Sequence, residues 1–267
     1  MSAVATAGGE GGSEQPRKPR KPRKPRKPRR RKAEDPARAA GSRAKKAKTV
    51  TAKPSWKIPT GGVAKGDDGE PRCWWGVSAP EYVAYHDNEW GKYRGPDDRS
   101  DNELFEMLVL ESFQSGLSWL TILRKRDGFR KAFDGFDFTK VAEYDAEKEA
   151  ELVANADIIR HRGKIQAAIA NANALKAVVD EFGSFDAYLR SMLGAWTPEC
   201  ALAAPKTVLE DAMESKTAES EALAKDLKKR GFKFMGPTTA YAFLQATGFV
   251  NDHVPGCVCH PASGGGS

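Results

Sequence analysis

The sequence has no run of apolar residues that approaches the roughly 18 needed to cross a membrane. Its N-terminal charged stretch is followed by no hydrophobic segment, so no secretory signal is predicted. The 267 residues include only 4 cysteines, too few for the disulfide framework typical of small secreted domains. These absences argue against a membrane protein and a secreted one, and they predict a cytoplasmic location.

Acidic residues are scarce at the N-terminus. Residues 1–65 carry 20 Lys and Arg but only 4 Asp and Glu, a balance of +16, whereas the rest of the chain has a balance of −9. The triplet Arg-Lys-Pro repeats between Arg17 and Lys32, and its prolines prevent helix formation. Residues 1–65 are therefore predicted to be a disordered basic tail whose polyanionic partner is nucleic acid. A solubilising extension without a partner is the alternative, and membrane binding is disfavoured because no apolar anchor is present.

Strand signals are also scarce, because the rest of the chain shows no sustained alternation of polar and apolar residues. An all-α domain is predicted over 66–261, followed by a flexible Gly/Ser end over 262–267. The segment Ser100-Asp-Asn-Glu103 has the form of a capping box that opens an apolar helix. Further helices are predicted over 118–133, 146–154, 163–182, 220–230 and from Pro237 to Gly248.

Histidine and cysteine are rare, yet two pairs of them stand at opposite ends of the predicted domain. Twelve residues separate Cys73 from His86, and three separate His253 from Cys257. Two thiolates and two imidazoles can complete a tetrahedral Zn²⁺ shell and leave no position for water. The pattern predicts one structural zinc ion that joins the two ends of the domain. Two neighbouring residues are alternative ligands in place of Cys257: Cys259 and His260.

One glutamate falls on the apolar side of its predicted helix. Glu111 lies seven residues after Leu104, on the stripe that Leu104 forms with Met107 and Leu108. A carboxylate buried there needs a partner, and its pKa tends to rise without one. Periodicity alone slightly favours a structural carboxylate bound to the backbone amides of the next turn. The alternative is a carboxylate that contacts a ligand.

Aromatic side chains are predicted close to this carboxylate. Tyr82, Tyr85 and His86 share one helical face at spacings i, i+3 and i+4, and Trp119 follows a Gly-Leu-Ser turn. Aromatic walls around a carboxylate suit a flat, electron-poor or cationic ring. Core packing is the alternative for each of these aromatic residues. Three further tryptophans are expected in the core: Trp74, Trp75 and Trp90.

Two basic stretches interrupt a domain that is acidic overall, and both suit phosphate binding. The first precedes the longest predicted helix, whose N-terminal amides can bind a phosphate. The second surrounds the end of the helix predicted over 220–230. The candidate DNA-binding residues are Arg160, Arg162, Gly163, Lys164, Lys228, Lys229, Arg230 and Lys233. Solvated basic turns are the alternative interpretation of both stretches.

Several long stretches resemble the bacterial DNA-3-methyladenine glycosylase I family. They are YVAYHDNEWG, LFEMLVLESFQSGLSW, FRKAFDGFD, DIIRHRGKIQAAIANA, KKRGFKFMGPTTAYAFLQATG and NDHVPGC, and they extend in order over about residues 72–261. The resemblance implies an all-α helix-hairpin-helix glycosylase fold in which IIRHRGKI is the hairpin that holds the DNA backbone. It also implies a structural zinc ion held by Cys73, His86, His253 and Cys257.

The same resemblance implies a DNA repair activity. The enzyme would flip 3-methyladenine out of alkylated double-stranded DNA and hydrolyse its N-glycosidic bond, which leaves an abasic site. Glu111 would be the catalytic carboxylate, Tyr82, Tyr85 and Trp119 would lie in the base pocket, and Leu117 would probe the gap left by the extruded nucleotide. No lysine suited to Schiff-base chemistry stands in this block, so a monofunctional glycosylase without strand cleavage is expected. The enzyme is also expected to be monomeric and nucleoid-associated.

Two residues depart from the family pattern. Phe113 stands where Gln is frequent and Ala242 where Ser can occur, so the base preference is open to change. The basic tail lies outside the resemblance. Two rival functions remain. One is a non-catalytic DNA-binding protein with a zinc-joined helical domain, and the other is a zinc hydrolase, which needs an open coordination position.

Overall fold

The computed structural model describes residues 58–194, 206 and 213–263, all within the unit Ser55–Ser267. Most of the predicted basic tail and the terminal residues 264–267 therefore lie outside the described residues. None of the helices in the described ranges has the length and apolar composition that a membrane span requires.

Helices form most of this part of the chain, which confirms the predicted all-α class. They are α1 Pro80–Asn88, α2 Asp101–Gln114, α3 Trp119–Leu123, α4 Arg126–Ala132, α5 Phe138–Val141, α6 Ala146–Ala154, α7 Arg162–Phe182, α8 Phe185–Leu193, α9 Ala218–Lys229 and α10 Pro237–Ala246. A two-stranded antiparallel sheet, β1 Val63–Lys65 and β2 Pro71–Cys73, precedes them.

The β1–β2 hairpin extends the domain upstream of the boundary predicted between residues 65 and 66. Val63 pairs with Cys73 in the register of the hairpin. The backbone N–H of Val258 donates to the carbonyl oxygen of Pro71 at 2.7 Å, so the hairpin is also tied to the C-terminal segment. The predicted boundary therefore falls at the end of β1, inside the folded unit.

Helix α2 passes through the core and carries the glutamate that the sequence singled out. Its predicted capping box is present: the Ser100 hydroxyl accepts from the Glu103 N–H, and the Glu103 carboxylate accepts from the Ser100 N–H at 3.0 Å. The ten residues from Leu104 to Phe113 are all buried. α2 packs against α3, α7, α8 and α10, which fixes the position of its C-terminal end.

The helix predicted over 118–133 is interrupted, and α3 and α4 replace it. Lys125 between them has φ −104° and ψ 0°, outside the helical region. The interruption places Arg126 against two carboxylates, Glu89 at 2.7 Å and Glu106 on α2. The prediction of one continuous helix over 118–133 was therefore wrong, and no proline or glycine at Lys125 signals the break in the sequence.

The other predicted helices lie close to their observed positions. The range 146–154 is reproduced by α6, and α7 begins one residue before its predicted start. Gly183 ends α7 with φ +84°, a left-handed conformation that glycine adopts without steric cost. Pro237 opens α10 as predicted, although α10 ends at Ala246, two residues before Gly248.

Candidate active site and metal centre

A cavity of about 360 Å³ lies where α1, the end of α2, the start of α3 and the C-terminal segment meet. Its volume falls within the usual range of small-molecule sites. The lining residues are Trp74, Trp75, Tyr82, Tyr85, Trp90, Glu111, Gln114, Trp119, Met213, Glu214, Ala242, Gln245, Asp252 and Val254. The structure thus brings together the predicted carboxylate and three of the predicted aromatic residues.

Glu111 lies in the wall of this cavity with 5% of its surface exposed. Its Oε2 atom is buried and has no hydrogen-bond partner among the described residues. Burial raises the pKa of the Glu111 carboxyl to about 8. The backbone amides of the following turn do not bond this oxygen, so the structural interpretation that periodicity favoured is not supported.

The aromatic side chains around Glu111 come from two helices. The Tyr85 ring on α1 lies 5.3 Å from the Trp119 ring on α3, at an interplanar angle of 53°. The hydroxyl of Tyr82 accepts a hydrogen bond from the Leu120 N–H at 3.3 Å, which joins α1 to α3. Trp119 Nε1 is buried and, within the described ranges, unpartnered. The cavity wall therefore holds one donor and one acceptor, on Trp119 and Glu111, that have no hydrogen-bond partner among the described residues.

The three tryptophans expected in the core do more than fill it. Trp74, Trp75 and Trp90 pack against the core but also line the cavity. The Trp75 ring lies edge-on to Trp90 at 4.8 Å and to Tyr82 at 5.8 Å. Their sequence positions gave no helical spacing that could have connected them to Glu111.

The cavity also contains a buried polar network that sequence analysis missed. Asp252 is almost completely buried and accepts hydrogen bonds from the Tyr241 hydroxyl and the Gln245 amide, both at 2.7 Å. Lys206 Nζ lies 2.9 Å from the other carboxylate oxygen of Asp252. The position of Asp252 beside the predicted ligand His253 was a signal that could have identified it.

The two departures from the family pattern have different positions. Ala242 lines the cavity, so it remains a candidate determinant of base preference. Phe113 is fully buried in the core, with its ring 4.9 Å from Phe129 and 6.2 Å from Phe133. Phe113 is not part of the cavity wall, so a direct effect on the base is not expected.

Metal-donor atoms cluster beside the cavity. The donor atoms of Cys73, His86 and Cys257 all lie within 4.8 Å of one another, and so do those of His86, His253 and Cys259. The two groups share His86, and they join residues from the two ends of the domain. These side chains lie close enough to bind a metal ion.

Both histidines of this cluster are oriented for metal binding. Asp87 Oδ1 lies 2.7 Å from His86 Nδ1, and Asn251 Oδ1 lies 2.9 Å from His253 Nδ1. Such outer contacts fix the ring and leave Nε2 for the metal. The Nε2 atom of His253 is indeed buried without a hydrogen-bond partner in the described part of the chain. Arg72 in turn holds Asp87 at 2.7 Å.

The three cysteines of the cluster differ in their surroundings. The Val254 N–H donates to Cys73 Sγ and the Cys259 N–H donates to Cys257 Sγ, both at 3.4 Å. Such donors stabilise thiolates. The thiol of Cys259 is half-buried and lies 3.9 Å from the Asp87 carboxylate. These contacts favour Cys73 and Cys257 as the thiolate ligands, while Cys259 remains within reach.

The second alternative ligand is engaged elsewhere. Nε2 of His260 lies 2.9 Å from the carbonyl oxygen of Lys206, and its Nδ1 accepts from the Ala262 N–H at 3.2 Å. Both ring nitrogens are thus bonded to backbone groups. His260 stabilises the C-terminal segment, and it does not take part in either group of metal-donor atoms.

The predicted DNA-binding residues do not share one environment. Arg160, Lys228, Lys229 and Lys233 are exposed. Arg162 is exposed too and forms a surface ion pair with Glu149 at 3.1 Å, and Gly163 lies half-buried in the first turn of α7. These positions leave the first four cations accessible to phosphate.

Two of the predicted DNA-binding residues are bonded to other groups of the protein, Arg230 half-buried and Lys164 buried. The Arg230 guanidinium bridges Glu181 and Asp226 at 2.7 Å each and lies over the Phe182 ring. The Lys164 ammonium is buried against backbone carbonyl groups. A phosphate contact does not fit these positions, since both cations already have partners in the protein.

Comparison with known proteins identifies the family. The model of the methyladenine glycosylase family matches residues 75–260. DNA-3-methyladenine glycosylase 1 of Escherichia coli (strain K12) is 46% identical over 192 residues, which are 72% of this chain and 98% of that protein. A crystal structure of 3-methyladenine DNA glycosylase I aligns with a TM-score of 0.62 and 44% identity, covering 71% of this chain and 100% of the other.

A structure of the Staphylococcus aureus enzyme, described as the basis of 3-methyladenine recognition, aligns with a TM-score of 0.61 at 34% identity. It covers 70% of this chain and 94% of its own. The chain belongs to the methyladenine glycosylase family.

The raised pKa of Glu111 makes the stability of the protein depend on pH. Because burial raises its pKa from 4.5 to about 8, the folded state keeps the proton in a range where the unfolded state loses it. The contribution of protonated Glu111 to the free energy of unfolding is complete below the pKa of the unfolded state. It is lost as the pH rises to the pKa of the folded state. Each pKa unit corresponds to about 1.4 kcal/mol, so the full effect is on the order of a few kcal/mol.

The Glu111→Gln variant does not titrate and should escape this loss. Its melting temperature should exceed that of the parental protein by a margin that grows as the pH rises from the unfolded pKa to the folded one, and then stays constant. Thermal unfolding of both proteins over this range measures the margin, and metal loss at low pH affects both equally. A margin that does not change with pH would contradict the buried, protonated state.

Proposed function

We propose that this chain is a DNA repair enzyme that excises 3-methyladenine from alkylated DNA by hydrolysis of the N-glycosidic bond. The observation that carries the proposal is the Glu111 carboxyl in an aromatic cavity, whose buried Oε2 has no partner within the described ranges. The names of the relatives, which are DNA-3-methyladenine glycosylases, support the same conclusion. A solved relative in complex with 3-methyladenine supports a cavity that takes the free base.

The lesion itself supplies part of the chemistry. Methylation at N3 places positive charge on adenine and weakens the N-glycosidic bond, so the base is already a good leaving group. The enzyme must then unstack the base, hold it and stabilise the developing oxocarbenium character of the sugar. Flipping costs a few kcal/mol, and less for a damaged base. The aromatic walls from Tyr82, Tyr85 and Trp119 supply stacking and cation–π attraction for a cationic ring.

Glu111 contributes both recognition and selectivity in this proposal. Its free oxygen accepts a hydrogen bond from the amino group of the adenine edge. A cationic base favours the ionised carboxylate that burial otherwise disfavours, whereas a neutral adenine provides no such compensation. Undamaged bases therefore bind less favourably, because nothing compensates the free energy of ionising Glu111.

Leu117 is proposed to fill the gap that the flipped nucleotide leaves. It follows Gly116, whose φ is +82°, and 40% of its surface is exposed. An exposed leucine on a tight turn, two residues before the cavity residue Trp119, is suited to insertion between base pairs.

The DNA backbone is proposed to run along two basic segments. One precedes α7 and contains Arg160, and the other joins α9 to α10 and contains Lys233. The first amides of α7 are partly occupied, because His161 Nδ1 accepts from the Lys164 N–H. The N-terminus of α10 has Gly236 as its N-cap and no side-chain cap, so its amides are open to a phosphate. The α9–α10 pair is therefore the better helix-hairpin-helix element, with IIRHRGKI as a second contact.

The metal is proposed to be a structural Zn²⁺ held by Cys73, His86, His253 and Cys257. Two thiolates and two imidazoles suit zinc, and four protein ligands leave no position for a reactive water. The ion would join β2 and α1 to the C-terminal segment and thereby hold one wall of the cavity. This donor set disfavours a zinc hydrolase, and a Glu111 oxygen buried without a partner among the described residues disfavours a non-catalytic DNA-binding protein.

Incubation with methylated duplex DNA, followed by identification of the released base, tests the proposal. The Glu111→Gln variant should fold, bind zinc and release 3-methyladenine about 10- to 150-fold more slowly. This range corresponds to the roughly 1.5–3 kcal/mol of a hydrogen bond to a charged group. Some activity should remain, because the lesion weakens its own bond.

Glu147→Gln on the exposed side of α6 is the matched control and should act at the parental rate. Release of 3-methyladenine by Glu111→Gln at the parental rate would exclude the proposed role of Glu111. Failure of the parental protein to release any alkylated base would exclude the proposed activity.

A further inference from the structure

Lys164 has an environment unlike that of the other predicted DNA-binding lysines. It lies in the first turn of α7 with 6% of its surface exposed. Its ammonium group donates to the carbonyl oxygens of Phe113 and Ser115, at 2.7 Å each. Both oxygens belong to the C-terminal end of α2, the helix that carries Glu111.

This arrangement is costly unless the contact has a role. A positive charge near the N-terminus of α7 opposes the dipole of its own helix, and burial of an ammonium group is unfavourable without partners. The C-terminal carbonyl groups of α2 lack intrahelical partners and carry partial negative charge. Two short charge-assisted bonds to these carbonyls offset both costs. Lys164 therefore stabilises the C-terminal end of α2 and not the N-terminal end of its own helix.

The carbonyls that Lys164 holds begin the turn between α2 and α3. The four residues 115–118 of this turn are exposed, and Gly116 adopts φ +82°. The Leu117 N–H donates to the Gln114 carbonyl at 2.6 Å, and the Ser118 hydroxyl caps α3. Lys164 is buried and bonds the carbonyl of Ser115, the first residue of the turn and two residues before Leu117.

We propose that Lys164 is a positioning residue that holds the 115–118 turn in the conformation in which Leu117 enters the DNA duplex. Because Lys164 also lies four residues after Arg160, it connects this turn to the basic segment before α7. Phosphate contact at that segment and insertion of Leu117 are then made by one rigid unit. This inference rests on the proposed glycosylase function and on the proposed role of Leu117.

The test compares two assays that differ in their need for Leu117. The first is excision of 3-methyladenine from methylated duplex DNA at limiting enzyme. The second is binding of free 3-methyladenine, measured by the quenching of tryptophan fluorescence in the cavity. Binding of the free base does not involve the 115–118 turn. The excision activity of Lys164→Met on duplex DNA should fall about tenfold, the change that about 1.4 kcal/mol produces. Its affinity for the free base should stay within about twofold of the parental value, a difference of about 0.4 kcal/mol.

Two matched variants control for indirect effects. Gly116→Ala strains the turn through its positive φ while its new Cβ meets no atom within 4 Å, so it should reproduce the Lys164→Met result without touching the lysine. Gly183→Ala has the same kind of strain, with φ +84° and open space, at the other end of α7. Gly183→Ala and Lys176→Met should leave the ratio of the two assays unchanged.

The double variant decides whether Lys164 acts through Leu117. Lys164→Met combined with Leu117→Ala should show the duplex activity of Leu117→Ala alone. Multiplied losses in the double variant, or equal losses of Lys164→Met in both assays, would overturn the positioning role and leave only a contribution to folding. If Lys164→Met does not fold, Gly116→Ala at the parental ratio would overturn it. An inactive parental protein would instead contradict the proposed function itself.

Discussion

Replacement of His253 by alanine is expected to release the metal and to lower the melting temperature of the protein by about 8–16 °C. A metal present at 1,000 times its dissociation constant stabilises the folded state by about 4 kcal/mol. In a domain of this size each kcal/mol shifts the melting temperature by about 2–4 °C. The physical reason is that Nε2 of His253, which is buried without a hydrogen-bond partner among the described residues, is available to the metal. Its removal would also break the link between the two ends of the domain.

Two measurements check this result together: the zinc content of the purified protein and the thermal unfolding curve. A chelator should bring the parental protein to the unfolding temperature of His253→Ala and leave the variant itself unchanged. A parental protein that is purified without metal at full stability would contradict the zinc assignment.

The thiolate ligands can be separated by a second pair of variants. Cys257→Ala should lose zinc, because Cys257 lies within 4.8 Å of both Cys73 and His86 and receives an N–H donor. Cys259→Ala should retain zinc. The reverse result would assign Cys259 as the ligand in place of Cys257.

Much of the fold could be predicted from the sequence because local rules decide it. The capping box before α2, the range of α6 and the proline at the start of α10 each depend on residues a few positions apart. Glu111 was identifiable for the same reason, since its burial follows from the apolar stripe of α2. The interruption between α3 and α4 was not, because neither proline nor glycine marks Lys125, where the backbone leaves the helical region.

The candidate site shows the same limit. The sequence favoured a Glu111 bonded to backbone amides, and only the structure shows that its Oε2 has no partner in the described part of the chain. Lys164 was assigned to phosphate because it lies in a basic stretch, yet its partners are carbonyl groups about 50 residues earlier in the chain. Asp252 was overlooked because its hydrogen-bond donors come from α10 and from Lys206. In each case tertiary contact determines the role of the residue.

Deletion of residues 1–57 is expected to weaken binding to undamaged DNA and to flatten its dependence on salt. This segment lies outside the described residues, and the prediction rests on its charge alone. Residues 1–57 carry 19 Lys and Arg against 4 Asp and Glu, a balance of +15, whereas the chain beyond residue 65 has a balance of −9. The deletion stops before β1, because that strand belongs to the folded domain. An acidic catalytic domain needs a basic segment to stay on DNA, which is itself a polyanion.

The size of the effect follows from counterion release. Each phosphate contact contributes about 0.9 to the slope of log K against log salt concentration, so the loss of about five contacts reduces the slope by about 4–5. Between about 50 and 200 mM salt, the affinity of the parental protein for undamaged DNA should therefore fall several hundredfold more than the affinity of the deletion. Excision from short methylated duplexes at saturating enzyme should change little, since lesion choice resides in the cavity.

A matched control keeps the length of the tail and removes its positive charge, with all 19 Arg and Lys residues of the segment 1–57 replaced by Gln. If the tail is an electrostatic tether, this variant should show the flat salt dependence of the deletion, because only the charge releases counterions. Equal slopes for the parental protein and both variants would instead establish the tail as a passive solubilising extension. A loss of excision at saturating enzyme in the deletion alone would show that the tail contributes to the folded domain, and a tether that acts only by its charge would then be wrong.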